Sequence, residues 1–312
     1  MRAVGVITYG GPEALEVVEL PEPVAGPGEI LLRVHAAAVN PTDTYGRNGA
    51  RAEQQRKSPP PYVSGMDVAG VVEAIGPDTD TSLGVGDRAM AIVVPNGSHG
   101  GYSERLALPA GSVVAVPAGA TDVEASTLPM NALTARLALD LLGLAPGQTL
   151  AVTGAAGAFG GYAVQLAKVD GLRVIADASE ADEALVYELG ADVVVRRGDD
   201  VADRIREHAP DGVDGIVDGA VQNELVFDAL CDGGGFATVR GYDADAPRDI
   251  EIHPVWVREY AEEREKLDLL RQQVEEGVLT LRVADTFAPD DAPEAHRRLE
   301  TGGVRGRLVI EF

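Results

Sequence analysis

The stretch Thr153-Gly154-Ala155-Ala156-Gly157-Ala158-Phe159-Gly160 decides how this chain reads. It follows Thr149–Thr153, which has strand composition. It opens Gly160–Lys168, where apolar Ala163, Val164 and Ala167 recur at helical spacing. Strand, glycine turn and helix in that order form the setting in which a glycine-rich loop holds a dinucleotide. Glycine permits the tight turn and lets backbone N–H groups approach a pyrophosphate. The helix N-terminus adds a dipole that favours the anion. The first glycine of the usual pattern is replaced here by Ala155.

Outward from the loop, strands and helices alternate. Strands are expected at Arg173–Ala176, Asp192–Val195, Gly215–Val217 and Phe236–Val239. Helices are expected at Glu180–Leu189, Val201–His208 and Val221–Leu230. Such alternation predicts an α/β, doubly wound parallel sheet covered by helices on both faces, a Rossmann domain. Upstream, Thr121-Asp122-Val123-Glu124 fits a capping box, and Leu133, Leu137 and Leu141 follow at spacing four.

The first ~118 residues have another character: short apolar runs punctuated by glycine and proline. Glu29–His35, Val68–Ile75 and Arg88–Val93 read as strands, and few helix signals appear. A charged helix is expected at Ala261–Glu276. After it come a strand at Leu279–Ala284, a helix at Ala292–Glu300 and a strand at Arg307–Phe312, a tail that returns to the first domain. The expected division is therefore 1–120 with 279–312 as a β-rich domain, and 121–278 as the dinucleotide domain. The polar, proline-rich segment Arg47–Pro61 reads as a mobile surface loop.

The 312 residues carry 26 basic and 50 acidic side chains, a net charge of −24, which argues against nucleic acid and anionic lipid as partners. The one cysteine, Cys231, excludes a disulfide framework or a cysteine-rich zinc ribbon within the chain. No run of about 18 apolar residues is present, so no membrane span is expected. The start lacks the basic and apolar regions of a signal peptide, which points to a cytoplasmic chain.

The signals for cofactor type conflict. Asp177 ends the strand after the loop, 20 residues beyond Gly157, where an acid usually accepts from the ribose hydroxyls of NAD. Arg196-Arg197 closes the following strand, within reach of a 2′-phosphate.

The whole chain resembles the medium-chain dehydrogenase/reductase superfamily, and within it the zinc-free quinone oxidoreductase (zeta-crystallin-like) branch. The markers are Ala38-Val39-Asn40-Pro41-Thr42-Asp43-Thr44-Tyr45, Ser64-Gly65-Met66-Asp67-Val68-Ala69-Gly70, Val85-Gly86-Asp87-Arg88 and Gly100-Gly101-Tyr102-Ser103-Glu104. Leu128–Ala135, the glycine loop, Val164–Lys168 and Gly306–Val309 follow in order. The resemblance implies a GroES-like β-rich domain for the substrate, a Rossmann domain for the nicotinamide cofactor, and a homodimer. Zinc alcohol dehydrogenases of the superfamily carry a cysteine where Asn40 falls and a histidine where Met66 falls, so no metal site is expected.

The reaction implied is hydride transfer from NADPH to a quinone or to the C=C bond of an α,β-unsaturated carbonyl. Asn40 and Tyr45 are the expected catalytic hydrogen-bond donors to the developing oxyanion. Cofactor contacts are expected from Asn131, Thr134, the loop Gly154, Ala155, Ala156, Gly157, Ala158, Phe159 and Gly160, and from Asp177, Ser179, Arg196, Gly241 and Arg307. Tyr102 and Trp256 are expected on the substrate side. NADP(H) is favoured, with NAD(H) left open. A biosynthetic tailoring reductase with a narrow substrate and a non-catalytic NADP(H)-binding redox sensor remain alternatives.

Overall fold

The structure is a computed structural model that describes every residue except Asp243. It divides into two compact units, Met1–Met130 with Arg258–Phe312, and Asn131–Val257. The division falls at other residues than expected, because α3 and α8, defined below, pack on the strands of the first unit.

In chain order the first unit runs β1 (Arg2–Val6), β2 (Glu16–Glu19), β3 (Glu29–Val39), α1 (Asp43–Asn48), α2 (Ala52–Gln55), β4 (Tyr62–Val63), β5 (Asp67–Ile75), β6 (Arg88–Ile92), β7 (Arg105–Pro109), β8 (Val113–Ala115) and α3 (Asp122–Ala125). The capping box at α3 forms as its sequence predicts: the Thr121 hydroxyl accepts from the Glu124 N–H, and the Glu124 carboxylate accepts from the Thr121 N–H. Helix α4 (Pro129–Leu142) starts in the first unit and continues into the second.

The second unit continues with β9 (Thr149–Thr153), α5 (Ala158–Val169), β10 (Arg173–Ala178), α6 (Glu183–Glu188), β11 (Val193–Arg196), α7 (Val201–His208), β12 (Val213–Asp218), β13 (Leu230–Thr238) and β14 (Glu251–Pro254). The chain then returns to the first unit as α8 (Arg264–Glu275), β15 (Val283–Phe287), α9 (Ala292–Thr301) and β16 (Arg307–Glu311).

The first unit is built on a seven-stranded sheet in the order β15-β16-β3-β5-β6-β8, with β7 paired to β3, and on a small sheet β2-β1-β4. Every pairing in it is antiparallel except β15 with β16. The second unit is a six-stranded, wholly parallel sheet in the order β11-β10-β9-β12-β13-β14. Its central strands are apolar on both faces because helices cover both, as the alternation of elements requires.

Two expectations in this unit change. The segment expected as a helix over Val221–Leu230 is a 3-10 helix over Asn223–Ala229. Val221 and Asn223 adopt φ of +58° and +51°, a left-handed backbone that an α-helix cannot contain. Strand β13 starts six residues before the expected Phe236: Leu230 pairs with Val213 of β12, and an irregular stretch containing Gly233, at φ of +72°, separates that pair from Gly235 with Gly215. In the first unit, Arg47–Pro61 is not the free loop expected: it includes α2, and Arg47 at its start is 2% exposed.

Gly160 illustrates how tightly the glycine loop is built. A Cβ there would lie 2.3 Å from the Gly154 carbonyl oxygen, which is backbone and cannot swing aside. Gly160→Ala is expected to destabilise the protein by about 1–3 kcal/mol, read as a lower urea midpoint. An unchanged midpoint would show that the loop relaxes freely.

Candidate active site

In the second unit the carboxyl ends of the parallel strands gather the groups expected to hold a cofactor. Gly157 is the N-cap of the 12-residue helix α5 and has an extended backbone and no side-chain cap. The N-cap therefore sets no side-chain oxygen of its own against the first N–H groups of α5, an arrangement suited to a phosphate. Thr153 and Asp218 staple the ends of β9 and β12: the Thr153 hydroxyl donates to Asp218 Oδ1 at 2.6 Å. The Ala220 N–H donates to the Thr153 hydroxyl at 3.1 Å. The Asn223 N–H donates to Asp218 Oδ2 at 2.8 Å.

Asp177 sits at the end of β10 but faces inward, its side chain 1% exposed. Its Oδ1 accepts from the Gly154 N–H at 2.6 Å, with the Ala155 N–H at 3.4 Å. Burial pushes its carboxyl above the ordinary range, and Arg197 and the two N–H groups oppose the rise. Beside it, Arg196 and Arg197 are largely exposed; Arg196 pairs with Glu180 at 3.4 Å and Arg197 with Asp177 at 3.8 Å. Ser179 donates to Asp182 at the entry to the short 3-10 turn before α6.

Asn131 and Thr134 are buried on α4. Gly241 lies against the ring of Trp256, which is 42% exposed. The sequence reading missed Thr238, buried at the end of β13, whose hydroxyl meets no hydrogen-bond partner among the described residues.

In the first unit the expected donors lie around two fully buried carboxylates. Asp43, the first residue of α1, accepts from the Asn40 N–H at 2.8 Å, the Tyr102 hydroxyl at 2.9 Å and the Gly65 N–H at 3.0 Å. Gly65 takes φ of +100°, and a Cβ there would lie 2.6 Å from the Tyr102 ring, so this approach needs glycine. Asp67 accepts from the Asn40 amide at 2.7 Å and from the Met130 N–H at 2.5 Å, in the first turn of α4. Asn40 is thus wholly buried, with its side chain committed to Asp67.

Tyr45, on α1, stays partly exposed. Tyr102, expected on the substrate side, is wholly buried behind Asp43. Arg307, expected at the cofactor, is buried on β16, where its charge stabilises the ionised forms of Asp43 and Asp67. In the sequence, Asp67 was legible only as a member of the Ser64–Gly70 marker.

Burial raises the Asp67 carboxyl to about 7, against the two hydrogen bonds and Arg307. The folded protein then takes up a proton that the unfolded chain loses near pH 4. The stabilisation from this group is full below that pH and is lost as pH rises to about 7. The stability of the wild type relative to Asp67→Asn should fall by up to about 4 kcal/mol between pH 4 and 8, measured by urea unfolding at each pH. A difference independent of pH would remove Asp67 as the titrating group.

Comparison with known proteins agrees with this geometry. Residues 26–118 match the family described as alcohol dehydrogenase GroES-like domain, and residues 189–310 match zinc-binding dehydrogenase. The mouse quinone oxidoreductase is 30% identical, covering 99% of this chain and 97% of its own length. A crystal structure of an NAD-dependent alcohol dehydrogenase superposes with a TM-score of 0.89 at 32% identity, covering 100% of both chains. The quinone oxidoreductase of Coxiella burnetii superposes with a TM-score of 0.87 at 27% identity, covering 100% of this chain and 99% of its own. With a GroES-like unit, a parallel-stranded dinucleotide unit and full-length relatives of this kind, the chain is an oxidoreductase and belongs to the quinone oxidoreductase family of medium-chain dehydrogenases/reductases.

Proposed function

We propose that this protein is a cytoplasmic, NADPH-dependent, zinc-independent reductase of quinones or of the C=C bond of α,β-unsaturated carbonyls, acting as a homodimer paired through the edge strand β14. The observation that carries the cofactor choice is the inward turn of Asp177. A carboxylate bonded to the loop's own N–H groups is not offered to ribose hydroxyls. The exposed guanidinium groups of Arg196 and Arg197 stand beside it, and arginine suits a phosphate monoester.

The name of one matching family raises zinc, and the donor set here does not suit it. Asn40 directs its amide to Asp67, and the Met66 sulfur accepts from the Thr42 hydroxyl at 3.3 Å. Among the described residues no group of three or more His, Cys, Asp or Glu side chains is placed to hold a metal.

The nicotinamide supplies the hydride when bound; the protein's task is to orient the partners and stabilise charge. Hydride addition to an enone or quinone leaves negative charge on oxygen, and a positioned hydroxyl there is worth much in a water-poor site. Tyr45 is the donor this reading assigns. Asn40 shapes the turn that carries it, through its own N–H on Asp43 and its amide on Asp67.

Titration followed by nicotinamide fluorescence should give at least about tenfold tighter binding for NADPH than for NADH. Arg196→Ala should weaken NADPH about tenfold, roughly one charge-assisted contact, and leave NADH unchanged. Tighter NADH would overturn the cofactor assignment. Tyr45→Phe should lower kcat with a quinone panel by about 10²-fold at unchanged NADPH affinity. Absence of wild-type turnover with every quinone and enone tested would overturn the substrate class.

A further inference from the structure

Behind the substrate-side turn a line of buried side chains runs from α9 to Asp43. Arg47, one turn along α1 from Asp43, is 2% exposed and donates through Nη2 to Glu300 on α9. Its Nη1 stands 3.3 Å from Nδ1 of His296, one turn before Glu300 and wholly buried. His296 Nε2 lies 3.2 Å from the Tyr102 hydroxyl, which lies 2.9 Å from Asp43 Oδ2. The Tyr102 and His296 rings meet edge to face.

The chemistry of the end members fixes the direction of every bond. A guanidinium only donates, so His296 Nδ1 must accept, and the neutral ring carries its proton on Nε2. Nε2 then donates to the Tyr102 oxygen, and the Tyr102 proton is left for Asp43. The reverse order fails at one point. A protonated Asp43 donating to Tyr102 would send the Tyr102 proton to Nε2 and leave a proton on Nδ1, facing the N–H of Arg47. The other donors to Asp43, the N–H groups of Asn40 and Gly65, cannot accept at all. Burial and the neighbouring Arg47 hold the His296 ring down to about 3, so it stays neutral, and burial keeps the Tyr102 phenol protonated. Burial raises the Asp43 carboxyl; the Asn40, Tyr102 and Gly65 donors and then the charge of Arg307 oppose that rise and favour the ionised state, while Asp67 and Asp43 oppose each other's charge.

We infer that Arg47, His296 and Tyr102 form a one-way hydrogen-bond line that keeps Asp43 an all-acceptor carboxylate and thereby holds the turn bearing Asn40 and Tyr45. They are positioning residues: they act on the Asn40 and Gly65 N–H groups through Asp43. Their effect on turnover rests on the reductase reading above; their effect on the turn does not.

The first test is the ¹⁵N spectrum of the imidazoles, of which the chain has five. His296 should be neutral, protonated on Nε2 and bare on Nδ1 from pH 5 to 9. A proton on Nδ1, or a titration near pH 6.5, would overturn the line. The second test is amide exchange in Tyr102→Phe, which preserves the packed ring. Asn40 and Gly65 should exchange at least about tenfold faster than in the wild type, with amides of α5 unchanged; unchanged Asn40 and Gly65 would overturn the holding role. In turnover, His296→Leu should lower kcat about tenfold at constant KM for NADPH. His296→Gln, whose amide can accept from Arg47 and donate to Tyr102, should recover most of it. Equal loss in both variants would reduce His296 to packing. If the wild type turns over no quinone or enone, the reductase reading fails, and the spectra and exchange rates still decide the line.

Discussion

Two carboxyl groups kept out of water, Asp43 and Asp67, tie together the loops of the first unit. An ionised group in such a place is tolerated only when donors replace its hydration. Asp43 recruits three donors and Asp67 two; three of the five are backbone N–H groups, those of Asn40 and Gly65 in loops and of Met130 in the first turn of α4. The loops containing Asn40 and Gly65 and the first turn of α4 cannot move apart without stranding a buried carboxyl group. These bonds hold the turn that leads into α1, and Tyr45 stands on that helix two residues before the buried Arg47.

The second unit, with its parallel sheet, follows a different logic. Its acids serve as staples for backbone, with Asp218 closing β9 onto β12 and Asp177 closing the glycine loop onto β10. What remains to meet an anion is the uncapped start of α5 and the two arginines at the end of β11. The chain's charge of −24 therefore says little about this site. Field strength at a few ångströms is set by the nearest dipoles and guanidinium groups, while distant carboxylates are screened.

Periodicity and punctuation were enough to read the architecture. Buried parallel strands are short apolar runs, helices repeat at three and four, and glycine marks the turns, so β9, α5, α7 and the capping box at α3 stand where their residues predict. Local chemistry failed where local backbone overrode composition. The left-handed Val221 and Asn223 tightened an expected helix, and β13 began at Leu230, which pairs with Val213 of β12 ahead of an irregular glycine stretch.

The sequence by itself determined the fold class, the glycine loop and the absence of zinc-type ligands at Asn40 and Met66, because each depends on residue type and near spacing. Only the tertiary structure decided the direction in which Asp177 points and the fate of Arg47, His296 and Tyr102. It also decided whether Asn40 faces outward or serves a buried carboxylate. Those answers depend on partners as much as 253 positions apart, such as Arg47 and Glu300, and no local pattern encodes which side chains meet across that distance. A buried polar group takes whatever donor or acceptor the packed chain brings to it, and its role follows from that partner.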